Sequence, residues 1–125
     1  MPAPAMTTSP GTVGVALTES LQRQRLITAA DNSYLLTDSG RQRLEALGLN
    51  VDALRRQRRA FARPCLDWTE HRPHLAGGLG AGIAEHLLQQ RWLTRIPKTR
   101  ALRLTDIGRR GLREEFALNL TPIER

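Results

Sequence analysis

The sequence predicts a mixed α+β chain, mainly helical with short β-hairpins, in which one small unit occurs twice. Three observations carry this reading. Gly11, Gly14, Glu19, Leu21, Gln24, Arg25 and Thr28 fall without a gap opposite Gly77, Gly80, Glu85, Leu87, Gln90, Arg91 and Thr94. Such self-similarity decides an architecture before any local signal does. After a short insertion in the second copy, Leu36-Thr37-Asp38-x-Gly40-Arg41-x-x-Leu44 matches Leu104-Thr105-Asp106-x-Gly108-Arg109-x-x-Leu112, and Leu49-Asn50 falls opposite Leu118-Asn119. Helical spacing of apolar residues, finally, gives way in each copy to a β-rich pair of segments around a turn. A chain of 125 residues is one ordinary domain. It buries about two-thirds of its unfolded surface, so two such units must share one core.

Residues 1–11, rich in Pro, Ala, Thr and Ser, read as a disordered tail. The first unit spans 12–49. Val13, Leu17 and Leu21 recur on one helix face up to about Arg25. Leu26-Ile27-Thr28 and Tyr34-Leu35-Leu36 flank the turn signal Asp31-Asn32-Ser33, which predicts a short hairpin. Thr37 is the expected cap of the next helix, with Asp38 in its positive first turn, Leu44 and Leu47 inward, and a stop near Gly48.

Residues 50–120 hold a linker helix and the second unit. Asn50 is read as a cap, Val51, Leu54 and Phe61 as a buried face, and Arg55, Arg56, Arg58 and Arg59 as its wet side, with Pro64 as the stop. Cys65 to Arg72 is expected to be helical, and Pro73 to kink that helix or open another. Leu75, Leu79, Ile83 and Leu87 then form a four-residue ladder beside the small Ala76, Gly80 and Ala84. Trp92 to Ile96 and Ala101 to Leu104 predict a second, longer hairpin with Lys98 and Arg100 at its tip. Thr105 caps a last helix running to about Phe116, and the residues from Thr121 are expected to fray. Trp68 and Trp92 are read as core residues.

The net charge of +7, with Lys98 the single lysine among 19 Lys and Arg residues, favours a partner that carries phosphates or carboxylates. Two Phe, one Tyr and two Trp offer few platforms for stacking bases, which argues against single-stranded nucleic acid. One cysteine, Cys65, excludes an internal disulfide, and the opening residues lack a basic start and an apolar run. A cytoplasmic protein is expected. No window approaches the roughly 20 apolar residues of a membrane helix.

Gly77-Gly78-Leu79-Gly80-Ala81-Gly82 invites a phosphate-loop reading, but no Lys-Ser/Thr follows and no strand is expected before it, so close packing or a bend is the better account. Cys65, Asp67, His71 and His74 are candidate metal ligands. Their spacing is not that of a zinc finger, and a packed Cys65 with solvated histidines is preferred. No cofactor and no metal is assigned, and no catalytic pair has a recognisable setting; the chain is read as a non-enzyme. On the second hairpin, Arg95, Lys98, Arg100 and Arg103 are the candidate DNA-contact residues, as phosphate contacts position a protein on the duplex.

Helix, hairpin, then Leu-Thr-x-x-Gly-x-x-x-Leu opening a helix resembles the second half of a winged helix, with the hairpin as the wing. More closely, Phe61-Ala-Arg-Pro-Cys65-Leu-Asp-Trp68, His74-Leu-Ala-Gly-x-Leu-Gly80 and Arg100-Ala-Leu-Arg-Leu-Thr-x-x-Gly-Arg109 resemble the C-terminal two-repeat region of long ArsR-type (arsenical-repressor-like) transcriptional regulators, over about Val13 to Leu118. The resemblance implies two winged-helix-like repeats sharing a helical core, double-stranded DNA as partner, and a homodimer. The family's N-terminal winged helix is not in this sequence, and Ser-Pro-Gly-Thr stands where its Cys-x-x-His-Leu-Ala-Gly would precede the first repeat, so a truncated first repeat is expected. Self-association is expected too, because the ladder Val13, Leu17 and Leu21 then lacks a packing partner. The alternative reading is a dimerisation or effector-sensing module that does not itself contact DNA. A third is a sensor centred on Cys65.

Overall fold

A computed structural model describes residues 6–57, 60–67 and 71–120. Within them the order is β1 (Met6–Thr8), α1 (Pro10–Arg23), β2 (Ile27–Ala30), β3 (Ser33–Leu36), α2 (Asp38–Ala46), α3 (Val51–Arg55), β4 (Arg63–Asp67), β5 (Arg72–Ala76), α4 (Gly77–Gln89), β6 (Leu93–Arg95), β7 (Leu102–Leu104) and α5 (Asp106–Phe116). The architecture is α+β, helices with antiparallel hairpins, and it is consistent with a winged-helix-like fold.

Both halves run helix, hairpin, helix, and the same local chemistry sets each. Leu26 N donates to Leu21 O at 2.8 Å and Trp92 N to Leu87 O at 3.0 Å as α1 and α4 end. Arg25 and Arg91, at φ 59 and 60, make the left-handed step that turns the chain into each hairpin. The Thr37 hydroxyl accepts from Gly40 N at 3.0 Å and donates to Arg25 O at 2.8 Å. Its counterpart on Thr105 accepts from Gly108 N at 2.9 Å and donates to Arg91 O at 2.7 Å. A side chain on Gly40 would overlap Leu26 O, and one on Gly108 would overlap Trp92 O, so each helix lies against its own hairpin at a distance only glycine permits.

One continuous core joins the halves: Val13, Leu17 and Leu21 of α1, Leu44 of α2, Leu79, Ile83 and Leu87 of α4, and Leu112 and Phe116 of α5 are all buried in it. The orphan carbonyls at the end of α5 find donors in the first half. Ser20 Oγ and Gln24 Nε2 (2.7 Å) donate to Phe116 O, and the Arg43 guanidinium donates to Glu115 O at 2.5 Å. The sheets interlock as well. β1 adds to the second hairpin in the order β1-β7-β6, and Tyr34 N of β3 donates to Ala62 O at 3.1 Å, just before β4.

Several expectations need correcting. The helix expected over Cys65 to Arg72 is not found at its described residues: Arg63–Asp67 and Arg72–Ala76 pair as antiparallel strands in which Cys65 faces His74 and Leu66 faces Pro73. Proline disfavours helix in the residue before it, so the two Arg-Pro pairs are strand signals rather than helix punctuation. α4 opens at Gly77, which leaves Leu75 buried in β5 rather than on the helical ladder. The linker helix stops at Arg55, where the guanidinium stacks over the Phe61 ring at 4.1 Å; Arg58 and Arg59, placed on its wet side by the sequence, lie outside the described residues. Trp68 lies outside them too, while Trp92 is half-buried against the core. Of the expected tail, residues 1–5 are outside the description, Met6–Thr8 is strand, and α1 starts at Pro10 behind the cap Ser9. The α1 ladder is covered within the chain by β5, where Leu75 N donates to the Thr18 hydroxyl at 2.7 Å, so it supplies no argument for self-association.

Candidate nucleic-acid interface

The second hairpin is held at its root by the Trp92 and Thr105 contacts and stiffened along its edge by β1. Arg95 faces Leu102, Thr94 faces Arg103, and Leu93 faces Leu104. Leu93, Leu102 and Leu104 are buried, which turns one surface of the ribbon toward the core. Arg95 shares that inner surface but projects at its exposed end, whereas Arg103 stands on the outer surface between Thr94 and Thr7.

Between the strands, Thr99 organises the loop. Its N–H and hydroxyl donate to Ile96 O at 3.3 and 3.1 Å, and its hydroxyl accepts from Ala101 N at 3.1 Å. Lys98 sits beside it at φ 64, a left-handed conformation that a lysine rarely adopts. Lys98 and Arg100 are exposed at the tip, and with Arg95, Pro97 and Pro10 they border a shallow depression of about 500 Å³. The structure thus brings Arg95, Lys98 and Arg100 together and sets Arg103 on the other face. Among the described residues, none of these four cations makes an ion pair.

Sequence reasoning missed Arg91 as part of this surface. It lies with Leu88, Thr94 and Arg95 around a second depression of about 330 Å³, which extends the basic band from the loop to the root of the ribbon. The signal was present in its match to Arg25 within the repeat, but only the left-handed step places it beside the strand.

The helices flanking the ribbon differ in charge, since α5 carries Arg109, Arg110 and Arg113, the last two exposed. α4 contains no Lys or Arg, and its exposed positions include Ala84, Glu85 and Gln89. The glycine-rich opening of α4 follows strand β5 directly, contrary to the expectation that no strand precedes it. Its amides are nevertheless committed: Gly78 N donates to Ala60 O at 2.8 Å and Leu79 N to Phe61 O at 2.7 Å, and Gly77 turns in at φ 84 against the Ala60 carbonyl. Two of the opening amides are therefore unavailable to an anion. The metal candidates separate in a similar way. Cys65 and His74 are cross-strand neighbours and His71 occupies the left-handed turn before β5, yet among the described residues no three His, Cys, Asp or Glu gather to hold an ion.

One ion pair shapes the electrostatics elsewhere. Arg41 donates to Asp52 Oδ1 at 2.5 Å and reaches Glu45 at 3.2 Å. The hydrogen bond from Arg41, and then its charge, hold the Asp52 carboxyl below the usual range, and the same bond raises the guanidinium.

Fold and surface together define an α+β chain of winged-helix-like build that presents one unpaired basic ribbon. The chain is 41% identical over 99 residues, which is 79% of its length and 44% of the relative's, to a protein of Bacillus subtilis (strain 168) described as "Uncharacterized HTH-type transcriptional regulator YdfF". It spans less than half the length of that relative. No family model matches the chain, and no solved structure matches it. No helix among the described residues is long and apolar enough to cross a membrane.

Proposed function

We propose that the chain is the two-repeat region of an ArsR-type winged-helix transcriptional regulator, and that it grips double-stranded DNA through the second hairpin. The observation that carries this is the ribbon itself: Arg95, Lys98, Arg100 and Arg103 are exposed on both of its faces and unpaired among the described residues. A ribbon lying in a groove is flanked by phosphates on either side, so cations on opposite faces serve one ligand. The similarity to a protein described as an HTH-type transcriptional regulator supports the same class.

The bare, partly acidic outer side of α4 argues against base reading by the helix before the ribbon, since major-groove readers place polar side chains on base edges. Contacts are therefore to the backbone, and sequence choice lies elsewhere in the assembled regulator. A homodimer belongs to this reading, with the exposed Leu35, Leu66 and Ile107 as its available apolar surface.

Fluorescence anisotropy of labelled duplexes, titrated with the full chain at several salt concentrations, tests the proposal. The expected result is binding that weakens steeply with salt and discriminates little between sequences. Absence of binding at low salt would overturn it and leave assembly or effector sensing as the role of the repeats. Light scattering at micromolar concentration tests the dimer; a monomer contradicts it.

A further inference from the structure

A second feature lies apart from the basic ribbon's exposed face. Between α1, α4 and β5 is a half-open cavity of about 430 Å³, walled by Val13, Leu17, Leu75, Leu87, Leu93 and Leu102. Its floor is low because Gly14 on α1 and Gly80, Ala81 and Ala84 on α4 carry little or no side chain. A volume of this order suits a small molecule, whose sites run to roughly 300–1,000 Å³ and are mainly apolar with a few polar groups.

Three polar side chains stand in this lining, and the Thr18 hydroxyl is already taken up by Gly14 O and Leu75 N. Arg63 is exposed at the mouth and forms no ion pair among the described residues. His74, two positions along the paired strand, packs its ring against Gly14, and its Nδ1 is buried with no hydrogen-bond partner. A lone guanidinium at the mouth of an apolar slot is complementary to a molecule with a greasy body and one carboxylate at its end. The guanidinium fork matches a carboxylate edge.

We propose that this cavity is a binding site for a small apolar monocarboxylate, held by Arg63 at its head and by the leucine walls along its body. Leu93 and Leu102 belong to the second hairpin, so the occupant touches the root and inner surface of that ribbon. The site does not depend on DNA binding and is tested without it.

The experiment is heteronuclear NMR of the full chain titrated with octanoate and, separately, with 1-octanol. Saturable shifts centred on Gly14, Gly80, Ala81 and Leu93 are expected, with octanoate the tighter of the two. Arg63→Gln, a change at an exposed position, is expected to weaken octanoate by roughly tenfold, the scale of a charge-assisted hydrogen bond, and to leave 1-octanol unchanged. Ala81→Phe, which fills the slot, is expected to abolish both. No saturable shift at these residues would overturn the proposal. So would equal affinity for the two probes that Arg63→Gln does not alter.

Discussion

The two hairpins share a root and differ at the tip. In each, a left-handed arginine enters, a threonine hydroxyl bridges the arginine carbonyl to a helix amide, and a glycine lets the following helix touch the ribbon. The first hairpin turns at Asp31 and Asn32 and carries no cation from Ile27 to Leu36, and its outer strand is bonded to Ala62. The second extends through residues 96–101, places Lys98 and Arg100 at the end, and takes β1 on its edge. Backbone geometry is therefore common to both, while the cations belong to the second alone, Lys98 and Arg100 in its insertion and Arg95 and Arg103 on its strands. One ribbon became part of the packing and the other was left free to meet an anion.

The largest effect should separate the tips. Lys98→Glu with Arg100→Glu is expected to lower duplex DNA affinity by on the order of a hundredfold at low salt and to reduce the slope of log affinity against log salt by about 2. Asp31→Ala in the first hairpin should change affinity by less than about twofold, since one exposed charge away from the ligand is screened. Anisotropy measures both, and equal responses would erase the distinction between the hairpins.

The shared roots should respond alike. Gly40→Ala and Gly108→Ala each force a methyl group into a backbone carbonyl and are expected to cost about 3 kcal/mol, read by urea denaturation. Thr37→Ala and Thr105→Ala remove equivalent caps and should each cost about 1 kcal/mol. A marked inequality within either pair would show that one unit, not both, sets the stability of the common core.

The smallest effect concerns a contact that exists in one half only. Arg41 pairs with Asp52 and Glu45, whereas its counterpart Arg109 has a buried Nε with no partner. Because the folded Asp52 carboxyl lies below its ordinary value of 3.8, the stability it contributes is present above that pH and is lost as pH falls through the lower folded value. Asp52→Asn should flatten this acid limb by lowering the neutral plateau slightly while leaving the acid end unchanged, as followed by thermal melts between about pH 2 and 7.

Much of the frame was legible because its signals are local. Thr37, Asn50 and Thr105 cap the helices the sequence assigned to them, and both flanking hairpins lie where β-rich segments meet turn residues. The third hairpin was not legible in the same way: Pro64 and Pro73 speak for strand ends and helix ends alike, and the choice depends on whether a partner strand and α1 are there to cover them. The candidate surface divides on the same line. The charges at Arg95, Lys98, Arg100 and Arg103 are explicit in the sequence, but their distribution over two faces, and the addition of Arg91, follow from register.

By itself, then, the sequence determined the helix, hairpin, helix order of the two flanking segments, their caps and turns, and the excess of positive charge on the second ribbon, because each depends on residues within a few positions of one another. Tertiary structure decided how the halves interlock, with first-half side chains completing the end of α5 and β1 bonded to β7. It also decided that Arg63 and His74 share a cavity with Leu17 and Leu93. Those arrangements join residues far apart along the chain, and only the packing of a common core brings them together.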